Sequence, residues 1–422
     1  MISGAPDGRT IECKLILFGL LAGLAVALLG FSVPAAAEET PTLRASQLLG
    51  VGRLTGPNYA IMEEVHNDGF LNHYTVIVNG RSYDVAGNAL MRERLHELSA
   101  LQTMNLIEGS STYTKAVSGA AKGVVTGAKN LVTSPVDTVT GTVKGVGSFF
   151  SSIGHSMFGG RSDQEEGVFK TAVGFDAAKR QFAYRLGIDP YTSFPPVKDR
   201  LEELSWASTA GNLTVGGAFQ ALPSPAKGAV SGSKLTTGMN KLLADTTPAD
   251  LKKRNRERLA KMNVHNSLTD AFLEHPKYSP SVKTLLIDAL SRVGIYNRDI
   301  FIQRAVLVQS EDMAFHMMRW ARMIDAYNTK IQKAQRFVRL GQAPMLQRAD
   351  GVIVGLFPFD YLAWTDQIAN RHATNMKDIP NIQGITGGEI WFEGGVSPQA
   401  RKALEAQNWV VKENVGVSLG LN

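Results

Sequence analysis

No cysteine follows Cys13 in this chain of 422 residues, and that lack sets the terms on which it folds. Without disulfides, a chain of this length holds together only by burying a sizeable apolar core. It is longer than one typical domain, so two packed units are expected. The same lack excludes, beyond residue 13, zinc–thiolate sites, iron–sulfur clusters, haem attachment through cysteine and a cysteine nucleophile.

The N-terminus reads as an export signal. Arg9 and Lys14 precede an uncharged, mainly apolar run from Leu15 to Val33, then Pro34-Ala35-Ala36-Ala37 and Glu38-Glu39. Ala35 and Ala37 supply the small side chains that a signal peptidase needs three residues and one residue before its cut, so cleavage after Ala37 is expected. The run is also nearly long enough to span a bilayer, which leaves an uncleaved inner-membrane anchor as the alternative. Cys13 stands ahead of the run and therefore is not a lipoprotein cysteine. Asp7 and Glu12 cancel Arg9 and Lys14, so the net charge of +6 rests on the exported body. That modest excess favours attraction to anionic surfaces, such as phospholipid headgroups or acidic cell-wall polymers, over nucleic-acid recognition. The expected location is periplasmic or secreted.

An α+β fold is expected, predominantly helical, with a small antiparallel or mixed sheet beside an irregular helical bundle. Tyr59 to Val65, Phe70 to Val78 and Arg81 to Val85 read as strands, and Asn79-Gly80 between the last two is a strong hairpin signal. Gly87 to Ile107 reads as a covering helix, with Leu90, Met91, Leu95, Leu98, Leu101 and Met104 on one stripe. These make a strand-rich unit over 38–108, after the signal at 1–37. Residues 109–165 differ in kind: glycines at 119, 123 and 127 and lysines at 115, 122, 129 and 144 punctuate a valine-rich stretch split at Ser134-Pro135. They read either as a surface- or partner-binding amphipathic segment or as a long crossover.

Residues 166–345 read as a helical domain. Thr247-Pro248-Ala249-Asp250 opens one helix, Ser267 to Glu274 and Ser279 to Val293 follow, and the longest helical pattern spans Asp299 to Leu340. The end of the chain, 346–422, reads as a small α/β element. Its strands are Gly351 to Phe357, Gly388 to Phe392 and Trp409 to Val415, and Ser397-Pro398 caps its helix. It is expected to complete the sheet begun by residues 59–85. The strings Ala178-Lys179-Arg180-Gln181, Leu186 to Tyr191, Trp206-Ala207 and Pro248 to Met262 resemble an uncharacterised family of exported proteobacterial proteins over roughly residues 70–330. The resemblance implies export and a mostly helical fold, and it brings no activity.

Chemistry is thinly marked. Glu311, Asp312 and His316 form the best ionisable cluster, since Asp312 and His316 stand four apart on one helix face. Two ligands are too few for zinc, and an ordinary carboxylate–histidine helix pair is the plainer reading, so no metal and no cofactor is assigned. His66 and His73 flank the turn at Asn67-Asp68-Gly69. Phe357-Pro358-Phe359-Asp360-Tyr361 and Trp364-Thr365-Asp366 set aromatics beside two acids, a composition found in sugar or peptide clefts and in buried loops alike. Arg319, Arg322, Lys330, Lys333, Arg336 and Arg339 recur as a basic stripe, and Lys252, Lys253, Arg254, Arg256 and Arg258 form a second basic run. Neither a nucleophile elbow nor a phosphate-binding loop occurs. Two functions follow. One is an exported envelope protein with a structural or interaction role at an anionic membrane surface, cell-wall polymer or envelope partner. The alternative is a cofactor-independent periplasmic hydrolase drawing its acids from Glu311, Asp312, Asp360 or Asp366.

Overall fold

A computed structural model describes residues 37–118, 163–222 and 237–421. The expected signal, up to residue 36, and the Gly/Val/Lys-rich segment from residue 119 to 162 lie outside the described residues. The chain folds as a mixture of helices and sheets divided between two compact units. One combines the residues up to Leu95 with Pro248 onward, and the other is His96–Thr247.

The first unit begins with β1 (Thr42–Arg44), β2 (Thr55–Gly56), β3 (Tyr59–Ile61), β4 (Glu64–Asn67), β5 (Asn72–Val78) and β6 (Arg81–Ala86), all paired antiparallel. β5 is the axis: β3 and β4 take successive lengths of one side and β6 takes the other. The β5–β6 hairpin turns on Asn79 (φ 51°) and Gly80 (φ 78°), the positive pair that a tight two-residue hairpin requires. Along β5, Tyr74, Val76 and Val78 are buried while the residues between them are only half-buried, the period-2 pattern of a sheet with one core face. Helix α1 (Asn88–Glu108) follows, its first turns in this unit and the remainder in the other.

Among the described residues, every element of the second unit beyond α1 is helical: α2 (Asp163–Leu186), α3 (Pro195–Gly211), α4 (Val215–Gln220) and α5 (Thr237–Asp245). Leu201, Leu204 and Ala207 bury one stripe of α3 completely, as their spacing predicts. The ring of Phe182 meets that of Phe219, and the Arg180 Nε–H donates to the Ala244 carbonyl at 3.1 Å, tying α2 to the end of α5.

The chain then re-enters the first unit with α6 (Pro248–Lys261), α7 (Asn266–Leu273), α8 (Pro280–Val293), α9 (Asp299–Ala305) and α10 (Glu311–Lys330). A second sheet follows, from β7 (Ala334–Leu340), β8 (Ala343–Arg348), β9 (Val352–Phe357), β11 (Gly387–Phe392) and β13 (Trp409–Lys412), in spatial order β13-β11-β9-β8-β7. β10 (Tyr361–Leu362) pairs with β12 (Gly395–Val396) outside it. β9, β11 and β13 run parallel, and helices α11 (Asp366–Met376) and α12 (Pro398–Glu405) lie in the two crossovers that parallel pairing demands. Side chains alternate across this sheet. Phe337, Leu346, Val354 and Leu356 join the core of α8 and α10, while Val338, Met345, Ile353, Ile390 and Phe392 join that of α11 and α12.

Three expectations are corrected. The C-terminal strands do not complete the N-terminal sheet; they form their own five-stranded sheet with β7 and β8. The expected helix from Asp299 to Leu340 is α9, α10 and a strand: Ser310 caps α10 by accepting from the Met313 N–H, and the chain leaves helix after Lys330 to enter β7. The helical domain expected over 166–345 is divided at Thr247, with α6 to α10 belonging to the unit that also holds all three sheets of the described residues.

Candidate functional site

The breaking of that helix dismantles the basic stripe. Arg319 is buried on α10 and forks onto the Glu393 carboxylate, its Nε–H donating at 3.0 Å, while Arg92 of α1 reaches the same carboxylate at 3.6 Å. Arg336 and Arg339 stand on β7, where they donate to Gln347 and Gln303. In the other basic run, Lys252, Arg256 and Arg258 pair with Glu274, Asp270 and Asp288. Neither run is a continuous cationic face.

Two of the four candidate acids, Asp312 and Asp360, are spent on backbone. Asp360 is buried, and its Oδ2 accepts from the N–H groups of Asn72 and Asn88, both at 2.9 Å. Burial pushes its carboxyl up to about 7, against the pull of those two amides. Asp312 accepts from the Ala86 N–H at 3.1 Å, and burial raises its carboxyl too. The two acids thus clamp the turn Ala86-Gly87-Asn88, where β6 hands over to α1, and Asp360 also sits at the positive end of that helix. Glu311 lies in the first turn of α10 and Asp366 in that of α11, where it is exposed. Asp312 and His316 share a helix, but no hydrogen bond joins them. His66 and His73 do face one another across β4 and β5; each takes its own acid, His66 with Glu64 and His73 with Asp68. Among the described residues, no group of three or more histidine, aspartate or glutamate side chains is placed to hold a metal ion.

A cavity of about 760 Å³ opens in the first unit instead, bounded by the Asp68–Leu71 turn, α9, α10, α11 and the second sheet. Its inner wall is aromatic. Phe357, Phe359 and Phe392 lie nearly parallel with centroids 5.2 to 6.1 Å apart, and the imidazole of His316 stacks on Phe359 at 6.0 Å and 14°. Trp320, Trp364 and Trp409 complete that wall with Met317 and Met345, all nearly inaccessible to solvent. The indole N–H groups of Trp320 and Trp409 find no acceptor among the described residues. His316 is 9 % exposed, and burial pushes its pKa down to about 4, so it is neutral in the wall at ordinary pH.

The outer rim is polar: Gln342, Asn370, Arg371 and Thr374 are exposed, and Arg304 is half-buried beside them. Sequence reasoning found part of this wall and missed the rest. The aromatic run Phe357 to Trp364 does line the cavity, whereas its two acids, Asp360 and Asp366, do not. His316 belongs to the site, with His372 also in the lining, and without its expected acid. Arg304 and Arg371 were unreadable, because a single arginine on a short helix carries no pattern until the fold sets another beside it.

Among the described residues no helix is long and apolar enough to cross a membrane. Comparison of the chain with protein families, curated proteins and solved structures finds no match.

Proposed function

We propose that this protein is a non-catalytic binding protein of the cell envelope, which holds an apolar small molecule in the cavity of its first unit. The observation that carries the reading is the cavity itself: about 760 Å³ of aromatic-walled space, within the range of pockets that enclose drug-sized ligands. The hydrolase alternative loses its support, because Asp312 and Asp360 are committed to backbone amides and none of Glu311, Asp312, Asp360 or Asp366 lines the cavity. A hydrolytic site needs an acid or base within hydrogen-bond reach of a bound substrate, and the one acid in the lining, Asp68, is held by His73 and by the Phe70 and Leu71 amides. The α+β arrangement, an antiparallel sheet and a mixed sheet with helices packed about them, is the frame we adopt for this site. Export by the leader and contact of residues 109–160 with an anionic membrane surface belong to the same proposal; flotation of the exported chain with liposomes, with and without that segment, tests the second.

Three of the five tryptophans line the cavity, so occupancy is read directly in intrinsic fluorescence. Titration with dodecanoic acid is expected to change tryptophan emission saturably in the native chain. In Ala343→Phe, which fills part of the cavity without adding a tryptophan, binding should be weakened at least tenfold. No saturable change in the native chain, or an equal one in the filled variant, overturns the reading.

A further inference from the structure

We propose that the ligand of this cavity is an amphipathic anion, an apolar body ending in a carboxylate or phosphate, whose oxyanion lies between Arg304 and Arg371. The proposal rests on the cavity being a binding site and names the chemistry that the site selects.

The lining is graded. Its deep end, formed by Met317, Met345 and the phenyl rings, offers no formal charge, and the histidine within it is neutral. Its outer end carries two guanidinium groups. Arg371, exposed on α11, lies with its guanidinium carbon 5.7 Å from the ring centroid of Phe70, which also lines the cavity. Arg304 projects from the last turn of α9 and is half-buried there. Among the described residues no carboxylate pairs with either. The nearest acid in the lining, Asp68, already accepts from two backbone amides and pairs with His73 at 2.9 Å.

Two like charges facing one cavity, one of them partly withdrawn from water, repel each other. Burial and the Arg371 charge together hold the Arg304 guanidinium below its usual range, in keeping with that repulsion. An oxyanion between the two removes the repulsion and supplies acceptors for their planar N–H forks, the geometry for which arginine is suited and lysine is not. The apolar body then lies where water is least welcome. Elsewhere in this unit Lys252, Arg256, Arg258 and Arg319 are each paired with a carboxylate, which the two arginines of the cavity are not.

The test compares dodecanoate, dodecyl phosphate and methyl dodecanoate in the tryptophan-emission titration of the full chain. The two anions are expected to bind roughly tenfold more tightly than the ester, about the worth of one charge-assisted pair. Arg371→Gln, at an exposed position, should abolish most of that preference and leave the ester unchanged; Arg304→Gln should do the same, with the thermal melt of each variant recorded as a check on folding. If only one anion shows the preference, the head group is assigned to that class. Ester binding equal to that of both anions would overturn the anionic head group while leaving the cavity as an apolar site. Binding by none of the three would overturn both readings.

Discussion

At the residue scale, His316 and Asp360 titrate in opposite senses over one span of pH. Burial depresses the His316 imidazole from 6.5 to about 4, with Glu393, Arg304, Asp68 and Arg319 as its charged surroundings. Between those values the unfolded chain takes up a proton that the folded chain refuses, so this residue's share of stability is lost as pH falls from 6.5 to 4. Asp360 does the reverse. Its carboxyl rises from 3.8 to about 7 through burial, opposed by the Asn72 and Asn88 amides, with Glu393 raising it and Arg92 lowering it. Its contribution is present at low pH and is lost as pH rises from 3.8 to about 7. In the unmodified chain the two slopes offset each other over most of this window. Relative to that chain, His316→Phe should gain stability as pH falls from 6.5 to 4, and Asp360→Asn should gain it as pH rises from 4 to 7, each by up to about 1.4 kcal/mol per pH unit. Urea denaturation at half-unit steps checks both, and two parallel profiles would contradict the assignment.

At the scale of elements, the helices from Pro248 to Val293 and the β5–β6 hairpin were legible because their signals are local. Ser279 caps α8 through the Val282 N–H, Pro280 sets its first turn, and Asn79-Gly80 has only one tight conformation to offer. The hairpin of β7 and β8 was not legible. Its basic residues recur at a spacing that also fits a helix, and its turn rests on Gly341 at φ 60°, where a side chain would collide with Asn375 of α11, a contact remote in sequence. The same kind of distant contact fixes β11 against β13. Gly388 lies opposite Trp409, and a Cβ at Gly388 would come within 2.5 Å of the indole ring. Gly388→Val should therefore push Trp409 out of the cavity wall and cost about 1–3 kcal/mol. A lowered melting temperature with tryptophan emission shifted to the red is the expected reading. The candidate site was hard to see for the same reason: its aromatic run is contiguous in sequence, but its arginines, its histidine and the Asp68 turn converge from four separate elements.

At the scale of the whole molecule, the first unit is assembled from both ends of the chain around an inserted helical unit. The Asp360 carboxylate holds amides at Asn72 and Asn88, the Asp360 and Ala363 amides donate to the Phe70 and Gly69 carbonyls, and Glu393 binds Arg92. A chain ending at Thr247 lacks every one of these partners. Hydrogen exchange of such a truncated chain should show residues 72–88 losing protection relative to the full chain, and retained protection there would mean that the N-terminal sheet stands alone. Glu38 is tied in the same way: its N–H donates to the Trp364 carbonyl at 3.0 Å and its carboxylate accepts from the Trp364 N–H. The order of manufacture then acquires a meaning. At synthesis rates of roughly 5–20 residues per second, the first strands wait on the order of ten seconds or more for the residues that lock them. During that interval this end of the chain lacks the carboxylate and amide partners that Asp360, Ala363 and Glu393 bring, so the N-terminal sheet is completed only once the far end of the chain has been made.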